Sequence, residues 1–386
     1  MQKVSEDIFN IGVDDKKIDL FEGMYIVPKG VRYNSYVIKD EKTAVLDSVD
    51  AQFKEEWLKN VQSALGGKSP DYLIVQHMEP DHSACIDAFV EKYPDTVVVG
   101  NRNTFVMLEE FFGEHVAPNR LTVKDGEELS LGKHVLKFVF APMVHWPEVM
   151  FTYDQTTNVL FSADAFGKFG ASDDNGEWVN EARRYYIGIV GKYGVQVRGI
   201  LGKLGDYKIE TVAPLHGPVL SGEALQNAIG YYLKWSGYEP EVKGTLVAYT
   251  SVYGHTKKAA EQLAKLLKEG GEDVKIMDLA REDWAECVAQ AFRYSKLVIA
   301  TTTYNADIFP AAREFIDRII ERNYQGRTVA FIENGSWAPV CARFMRAKFE
   351  KCKDINYART EVKIRSALNG ESDAKIAALA EELLKG

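Results

Sequence analysis

Apolar positions in the first part of the chain come mostly in short runs broken by turns. Residues 24–27, 35–38 and 43–46 read as antiparallel strands. A segment with helical spacing follows at 53–65, closed by Gly66-Gly67. Residues 71–76, short and rich in aliphatic side chains, predict a buried strand. Beyond it the pattern predicts a helix over 84–90, a strand over 96–100 and a helix over 103–112. The β pattern returns over 121–160, with 134–141 its clearest stretch. One long helix is expected over 180–201 and a strand over 211–213. Such β runs with interspersed helices suggest sheets packed on each other and covered by helices.

The pattern changes near Lys234-Trp-Ser-Gly-Tyr-Glu-Pro240, where glycine, proline and polar residues mark a linker. Beyond it strands and helices alternate strictly. Strands are expected at 245–249, 274–277, 297–300, 328–332 and 361–364, each followed by a helical segment. That alternation predicts a parallel sheet wound on both faces. The expected boundaries are 1–240 for a first domain and 241–386 for a second.

At 386 residues the chain is long for one core, in keeping with two domains. A net charge of -9 and the lack of a basic run argue against nucleic acid as a partner. Cys85, Cys287, Cys341 and Cys352 form no C-x-x-C, so neither a disulfide framework nor a zinc ribbon is suggested. The N-terminus has no apolar targeting core, and no apolar run is long enough to span a membrane. The expectation is a cytoplasmic protein.

Chemistry concentrates first at His77-Met-Glu79-Pro-Asp81-His82, directly after the strand at 71–76. His77, Glu79 and Asp81 at i, i+2 and i+4 would point to one side of an extended loop. A solvated polar loop is the plain alternative, but two imidazoles and two carboxylates this close are costly to bury without a cation. His145, Asp164 and His216 each follow a later β run. Singly they read equally well as a packed histidine, a helix cap and a turn residue. Together the seven side chains exceed one tetrahedral ion and suit two metals sharing a carboxylate, for which Asp164 is the natural bridge. Mixed imidazole and carboxylate ligands without thiolate favour non-haem iron that binds a small oxidant.

A second concentration opens the C-terminal half. Thr250, Ser251, Val252, Tyr253, Gly254, His255 and Thr256 form a hydroxyl-rich turn between a strand and a helix, suited to one terminal phosphate. Capping of the helix is the plain alternative. The turn has neither a lysine nor G-x-G-x-x-G, which weighs against a nucleoside triphosphate or a dinucleotide. Thr302, Thr303, Tyr304 and Asn305 end the third strand; Asn334, Gly335, Ser336 and Trp337 end the fourth. Tyr304 and Trp337 are candidates to lie on a flat ring, and Asn305 and Asn334 to meet its polar edges.

These residues carry a resemblance. His77-x-Glu79-x-Asp81-His82 with His145, Asp164 and His216 is similar to the metallo-β-lactamase-like domain of the flavodiiron proteins (A-type flavoproteins), and the second half resembles their FMN domain. In most hydrolases of that superfamily the second motif position is histidine. Glu79 stands there in this chain, as in the di-iron members, and an added carboxylate stabilises oxidised iron better than a neutral imidazole does.

The resemblance implies an α/β chain: an N-terminal metallo-β-lactamase-like αββα sandwich, then a flavodoxin-like doubly wound parallel sheet. It implies that His77, Glu79 and His145 hold one iron, Asp81, His82 and His216 the other, with Asp164 between them. In some relatives the residue matching His82 swings away. The expected activity is reduction of dioxygen to water or of nitric oxide to nitrous oxide. FMN would supply electrons taken from rubredoxin or a reduced deazaflavin, since no rubredoxin-like segment follows the FMN domain. A head-to-tail homodimer or dimer of dimers is the implied assembly. Two other readings stay open: a dinuclear zinc hydrolase with a flavodoxin-like appendage, and a flavin electron carrier. Tyr25, Trp146 and Tyr186 are candidates to surround the metals, not placeable from spacing alone.

Overall fold

Two sheets packed face to face form the first half of the computed structural model, which describes all 386 residues. One sheet has seven strands in the order Gln2–Lys3, Ile8–Asn10, Tyr36–Ile38, Ala44–Leu46, Tyr72–Ile74, Val97–Gly100, Arg120–Thr122. The other runs Glu128–Ser130, Val135–Phe140, Met150–Asp154, Val159–Phe161, Thr211–Ala213, Leu220–Ser221. Ile38, Leu46, Ile74 and Val99 from the first meet Leu136, Phe138, Met150 and Phe161 from the second in one buried cluster. Helices cover the outer faces: Lys54–Ala64 buries Trp57 and Val61, and Arg102–Phe112 buries Phe105 and Leu108. This is the expected αββα sandwich.

The second half is a parallel sheet in the order Asp273–Asp278, Val242–Tyr249, Tyr294–Tyr304, Arg327–Asn334, then a divided last strand, Ile355–Tyr357 and Val362–Ile364. Helices His255–Glu269 and Gly370–Lys385 form one layer over it, with Ala260, Leu263, Leu379 and Leu383 packed on Val247, Val298 and Ile332. Helices Trp284–Arg293, Pro310–Glu321 and Cys341–Phe349 pack on one another and on the sheet. The strand order is that of flavodoxin-like folds.

The chain divides into a compact unit of residues 1–186 with 195–233, and a second of 187–194 with 234–386. The expected long helix over 180–201 is broken. Trp178–Tyr185 is α-helical, Tyr186–Val190 a π turn, Gly191–Tyr193 a 3-10 turn, and Gly194–Leu204 α-helical again. Glycines 188, 191 and 194 lie in this stretch, where their lack of a side chain weakens the helix. The residues read as linker begin inside the helix Gly222–Ser236, leaving 237–241 before the next strand. No helix is long and apolar enough to cross a membrane.

Candidate metal centre and flavin pocket

The metal motif is not the extended loop that its spacing predicts. Glu79 has ψ 137°, and a short helix, Pro80–Ser83, starts immediately after it. Pro80 occupies its first turn, where the fixed φ of proline suits a helix start. His77 and Glu79 therefore come from a loop, while Asp81 and His82 project from the helix. The chain turns between the two pairs, so they serve two different places rather than one face.

The structure gathers all seven candidates. The ligand atoms of His77, Glu79, His145 and Asp164 form one group, and those of Asp81, His82 and His216 another, each within 4.8 Å internally. Asp164 joins the groups. Its Oδ2 lies 2.9 Å from His145 Nε2 and 3.4 Å from His77 Nε2, and its Oδ1 3.2 Å from His82 Nε2 and 3.7 Å from His216 Nε2. Glu79 Oε2 stands 3.0 Å from His145 Nε2 and 3.2 Å from His77 Nε2. Asp81 Oδ2 stands 3.3 Å from both His82 Nε2 and His216 Nε2, which face each other at 3.0 Å. Asp164 Oδ1 and both Asp81 carboxylate oxygens are buried with no hydrogen-bond partner. Converging, under-satisfied donor atoms of this kind fit cations.

Other residues aim the ligands. Glu148, fully buried, accepts from His77 Nδ1 at 2.7 Å and from the Met78 N–H at 2.8 Å. His216 Nδ1 donates to the Arg32 carbonyl at 2.8 Å, which frees Nε2 for the centre. Asp47, at φ 53°, accepts from the Gln76 side chain and backbone at 2.8 Å and the His77 backbone at 3.2 Å, fixing the strand end that enters the motif. Met143, Ala163 and Phe166 share the left-handed region on the loops that carry His145 and Asp164, so backbone strain concentrates here. Gly167 is required by close approach, since a Cβ there would meet the Asp164 carbonyl at 2.9 Å.

Electrostatics follow from crowding. Burial alone would lower the His145 pKa, but hydrogen bonds to Asp164 and Glu79 and the charge of Asp164 raise it to about 9. His77 moves up well above its usual value for the same reasons, with Glu148 added. Burial would raise Asp164, yet the imidazoles of His77 and His82 beside it and hydrogen bonds from His145 and His77 hold it well below the usual range. Without metal, the cluster holds its charge balance with protons on imidazoles.

Sequence spacing did not reveal Glu148, Asp47 or Tyr185. Tyr185, not Tyr186, packs on His216, with ring centroids 5.4 Å apart, while Tyr186 packs on Tyr232. Trp146 stands 5.2 Å from His77 and 6.2 Å from His145, and Tyr25 packs on Phe169. Glu148 had one visible signal, an acidic residue in the turn just before the strand Met150–Asp154.

In the second unit a cavity of about 680 Å³ opens at the carboxyl ends of the strands. It is lined by Ser251, Val252, Tyr253, His255 and Thr256, by residues 302–305, and by residues 334–337, with Ala306, Ala338, Val340 and Ser366 added. Thr250 and Gly254 stand outside it. Thr250 is buried against the Thr301 hydroxyl at 2.6 Å, and Gly254 takes φ 89° to start the helix His255–Glu269. Asn334 does not have a free amide for a ring edge. Its Nδ2 donates to the Thr256 hydroxyl at 3.3 Å and the Ser366 carbonyl at 3.1 Å, and its Oδ1 accepts from the Ser366 N–H at 3.1 Å, tying the loops together. Thr303 is likewise engaged, accepting from the Val340 N–H at 2.9 Å and the Cys341 N–H at 3.1 Å. The Thr302 hydroxyl is buried without a partner, while Tyr304 and Trp337 keep 46% and 89% of their surface exposed. A helix N-terminus, a spare hydroxyl and two open aromatic faces fit a phosphate joined to a flat ring.

Known proteins share both halves. Residues 31–217 match the family described as ODP family beta lactamase, and residues 246–362 match a flavodoxin domain. A nitric oxide reductase of Moorella thermoacetica is 31% identical over 82% of this chain and 81% of its own length. Among solved structures, a variant of the flavo di-iron protein of Thermotoga maritima superposes with a TM-score of 0.88 at 25% identity, covering 98% of this chain and 96% of that one. The rubredoxin oxygen:oxidoreductase of Desulfovibrio gigas reaches a TM-score of 0.92 over 100% of this chain and 98% of that one; at 24% identity it speaks for the fold alone. The likeness runs through both halves in the same order, and the chain belongs to the flavodiiron protein family.

Proposed function

We propose that this oxidoreductase uses FMN in its C-terminal unit to supply electrons to two iron ions in its N-terminal unit, where dioxygen is reduced to water or nitric oxide to nitrous oxide. The observation that carries this reading is Asp164, whose two oxygens face two separate ligand groups. His77, Glu79 and His145 are assigned to one iron, Asp81, His82 and His216 to the other, and Asp164 to both. Bound iron supplies reversible electron transfer and a Lewis acid for the gas.

The chain's own part is positional. Glu148 and the Arg32 carbonyl hold protons on the outer nitrogens of His77 and His216, so their Nε2 atoms remain free to ligate. Phe21 and Tyr33 pack edge-on to His216 at 5.4 and 5.8 Å, shielding that side from water. In the second unit, the loops at 251–256, 302–305 and 334–337 are assigned to FMN, with Tyr304 and Trp337 against the ring and the helix start at His255 toward the phosphate. Thr250 and Gly254 shape that loop from behind.

The flavorubredoxin among the relatives supports a rubredoxin-type donor, and reduced deazaflavin is the small-molecule alternative that the family resemblance implies. A head-to-tail homodimer or dimer of dimers in the cytoplasm completes the reading, and the four free cysteines agree with a reducing compartment.

Metal analysis and gas kinetics test it together. Two irons and one FMN per chain are expected, and the anaerobically reduced protein, mixed with each gas, should consume at least one of them. Zinc without iron would favour the dinuclear hydrolase, and FMN without metal an electron carrier. Glu79→His should lower iron retention and gas reduction while FMN stays bound; unchanged turnover would count against the assignment of this loop.

A further inference from the structure

We propose that a basic groove beside the flavin cavity is the docking face for a small acidic electron-donor protein; this rests on the flavin reading above. Charge is unevenly spread along the chain. Residues 1–240 carry 24 Lys and Arg against 35 Asp and Glu, whereas residues 241–386 carry 23 against 21. Within the second half, residues 341–365 hold eight cations against three carboxylates. An acidic protein is repelled by the first region and drawn to this segment.

The segment has a definite shape. The last strand of the sheet is divided: Ile355–Tyr357 pairs with one part of Arg327–Asn334 and Val362–Ile364 with another, so residues 358–361 leave the ladder. A groove of about 330 Å³ lies there. Phe331, Pro339, Val340 and Val362 give it apolar lining, and the cations Arg343, Arg346 and Lys363 outnumber the two carboxylates that also line it, Glu333 and Glu361. Val340 also lines the flavin cavity, so the two depressions adjoin. An apolar centre with arginine at its edge is the usual composition of a protein interface.

The arginines are also uncommitted. Other cations of the same unit are tied to carboxylates, as in Arg318–Glu314 at 2.7 Å, Arg313–Asp307 at 3.2 Å and Lys348–Asp317 at 2.5 Å. In the groove only Lys363 is so held, by Glu333 at 3.0 Å. Arg343 lies over Phe344 at 4.6 Å and Arg346 over Tyr357 at 4.3 Å, which orders both while leaving their charge unneutralised. Arg359 and Arg365, both exposed and without a salt bridge, flank the strand Val362–Ile364. Arg365 immediately precedes Ser366 of the flavin cavity. Docking here brings a donor's redox centre to the flavin edge. Each encounter passes one electron, so two donor molecules are oxidised per two-electron reduction of the flavin, with the protons drawn from solvent.

The test is anaerobic stopped-flow reduction of the FMN-loaded, iron-loaded protein by reduced rubredoxin, an acidic one-electron protein, followed by flavin bleaching. In R343E/R365E the second-order rate constant should fall about ten-fold or more at low salt. R343Q/R365Q should show a smaller fall in the same direction. The wild-type rate should drop steeply with salt and converge on the variant near 1 M, where the screening length is about 3 Å. Lys265→Glu, in the helix His255–Glu269 of the other layer, should change little. Flavin reduction by photoreduced deazaflavin, too small to need the groove, should be equal in all of them. Wild-type rates and salt dependence in R343E/R365E would overturn the docking face, as would an equal loss in Lys265→Glu, which would mean diffuse attraction only. Failure of the protein to bind FMN, or of deazaflavin to bleach it, would instead overturn the flavin reading.

Discussion

The two sites of this protein are built on opposite plans. The metal centre collects buried, chargeable side chains from stretches as far apart as residues 77 and 216, and a second set of residues holds them in place. The flavin pocket is assembled from short contiguous loops at strand ends, open to solvent, and draws on hydroxyls, a helix start and aromatic faces. The contrast follows from what each must hold. A metal ion rewards converging charge and penalises any misplaced donor, so its ligands need orienting partners. A flavin is large and mostly flat, so many small contacts share its binding and few are indispensable. Loss of one side chain should therefore empty the first site and only loosen the second.

The largest effect is expected from Asp164→Asn, which keeps the shape but removes the charge shared by both ligand groups. Iron content should fall from two per chain to near zero while flavin absorbance is retained. Two irons in that variant would break the contrast. Glu148→Gln comes next. Loss of the carboxylate behind His77 should weaken iron retention against a chelator by about 10–100-fold, with the dissociation of FMN unchanged. In the second site, Trp337→Ala should weaken FMN by about 1–2 kcal/mol, roughly 5–30-fold, through lost ring contact, with iron content unaffected. Complete flavin loss would mean that the pocket is as dependent on single residues as the metal centre.

Proton competition sharpens the same contrast. His145 in the metal-free fold has its pKa raised to about 9. Its protonated form therefore stabilises the metal-free protein fully below its unfolded value of about 6.5, and that stability is lost as pH rises through the folded value. Iron requires the neutral imidazole, so loading should release protons, and iron affinity should climb between about pH 6.5 and 9. Calorimetric titration in buffers of different ionisation heat measures the release. FMN affinity should stay comparatively level over that range. The smallest effect belongs to Thr303→Val, which removes a hydroxyl that accepts two N–H groups at the start of Cys341–Phe349 and should cost about 1 kcal/mol of stability, read as a lower Tm.

Much of this architecture was legible in the chain. Apolar runs of five or six residues alternating with helical segments are a local property, and the strands at 245–249 and 297–300 and the helix at 284–292 fall inside the observed elements. The ligand candidates were legible for another reason: histidine and carboxylate at strand ends are conspicuous against apolar neighbours, and all seven are brought together. The misplaced features share a cause. The π and 3-10 turns at 186–193, the divided last strand and the helix start at Pro80 depend on local competition that periodicity averages away. Asn334 is a candidate for a ring edge by residue type, which does not reveal that its amide donates to Thr256 and Ser366.

The chain by itself determined the two-part organisation, the kinds of element and the chemistry of the side chains, since these follow from period, turn residues and functional groups within short windows. Only the tertiary structure decided how that chemistry is deployed. It set Asp164 with one oxygen toward each ligand group, put Glu148 behind His77, and moved Thr250 and Gly254 out of the cavity wall. The reason is physical. Which atom of a carboxylate or imidazole faces a site depends on backbone turns and partners contributed by distant segments, and those interactions exist only once the sheets have packed.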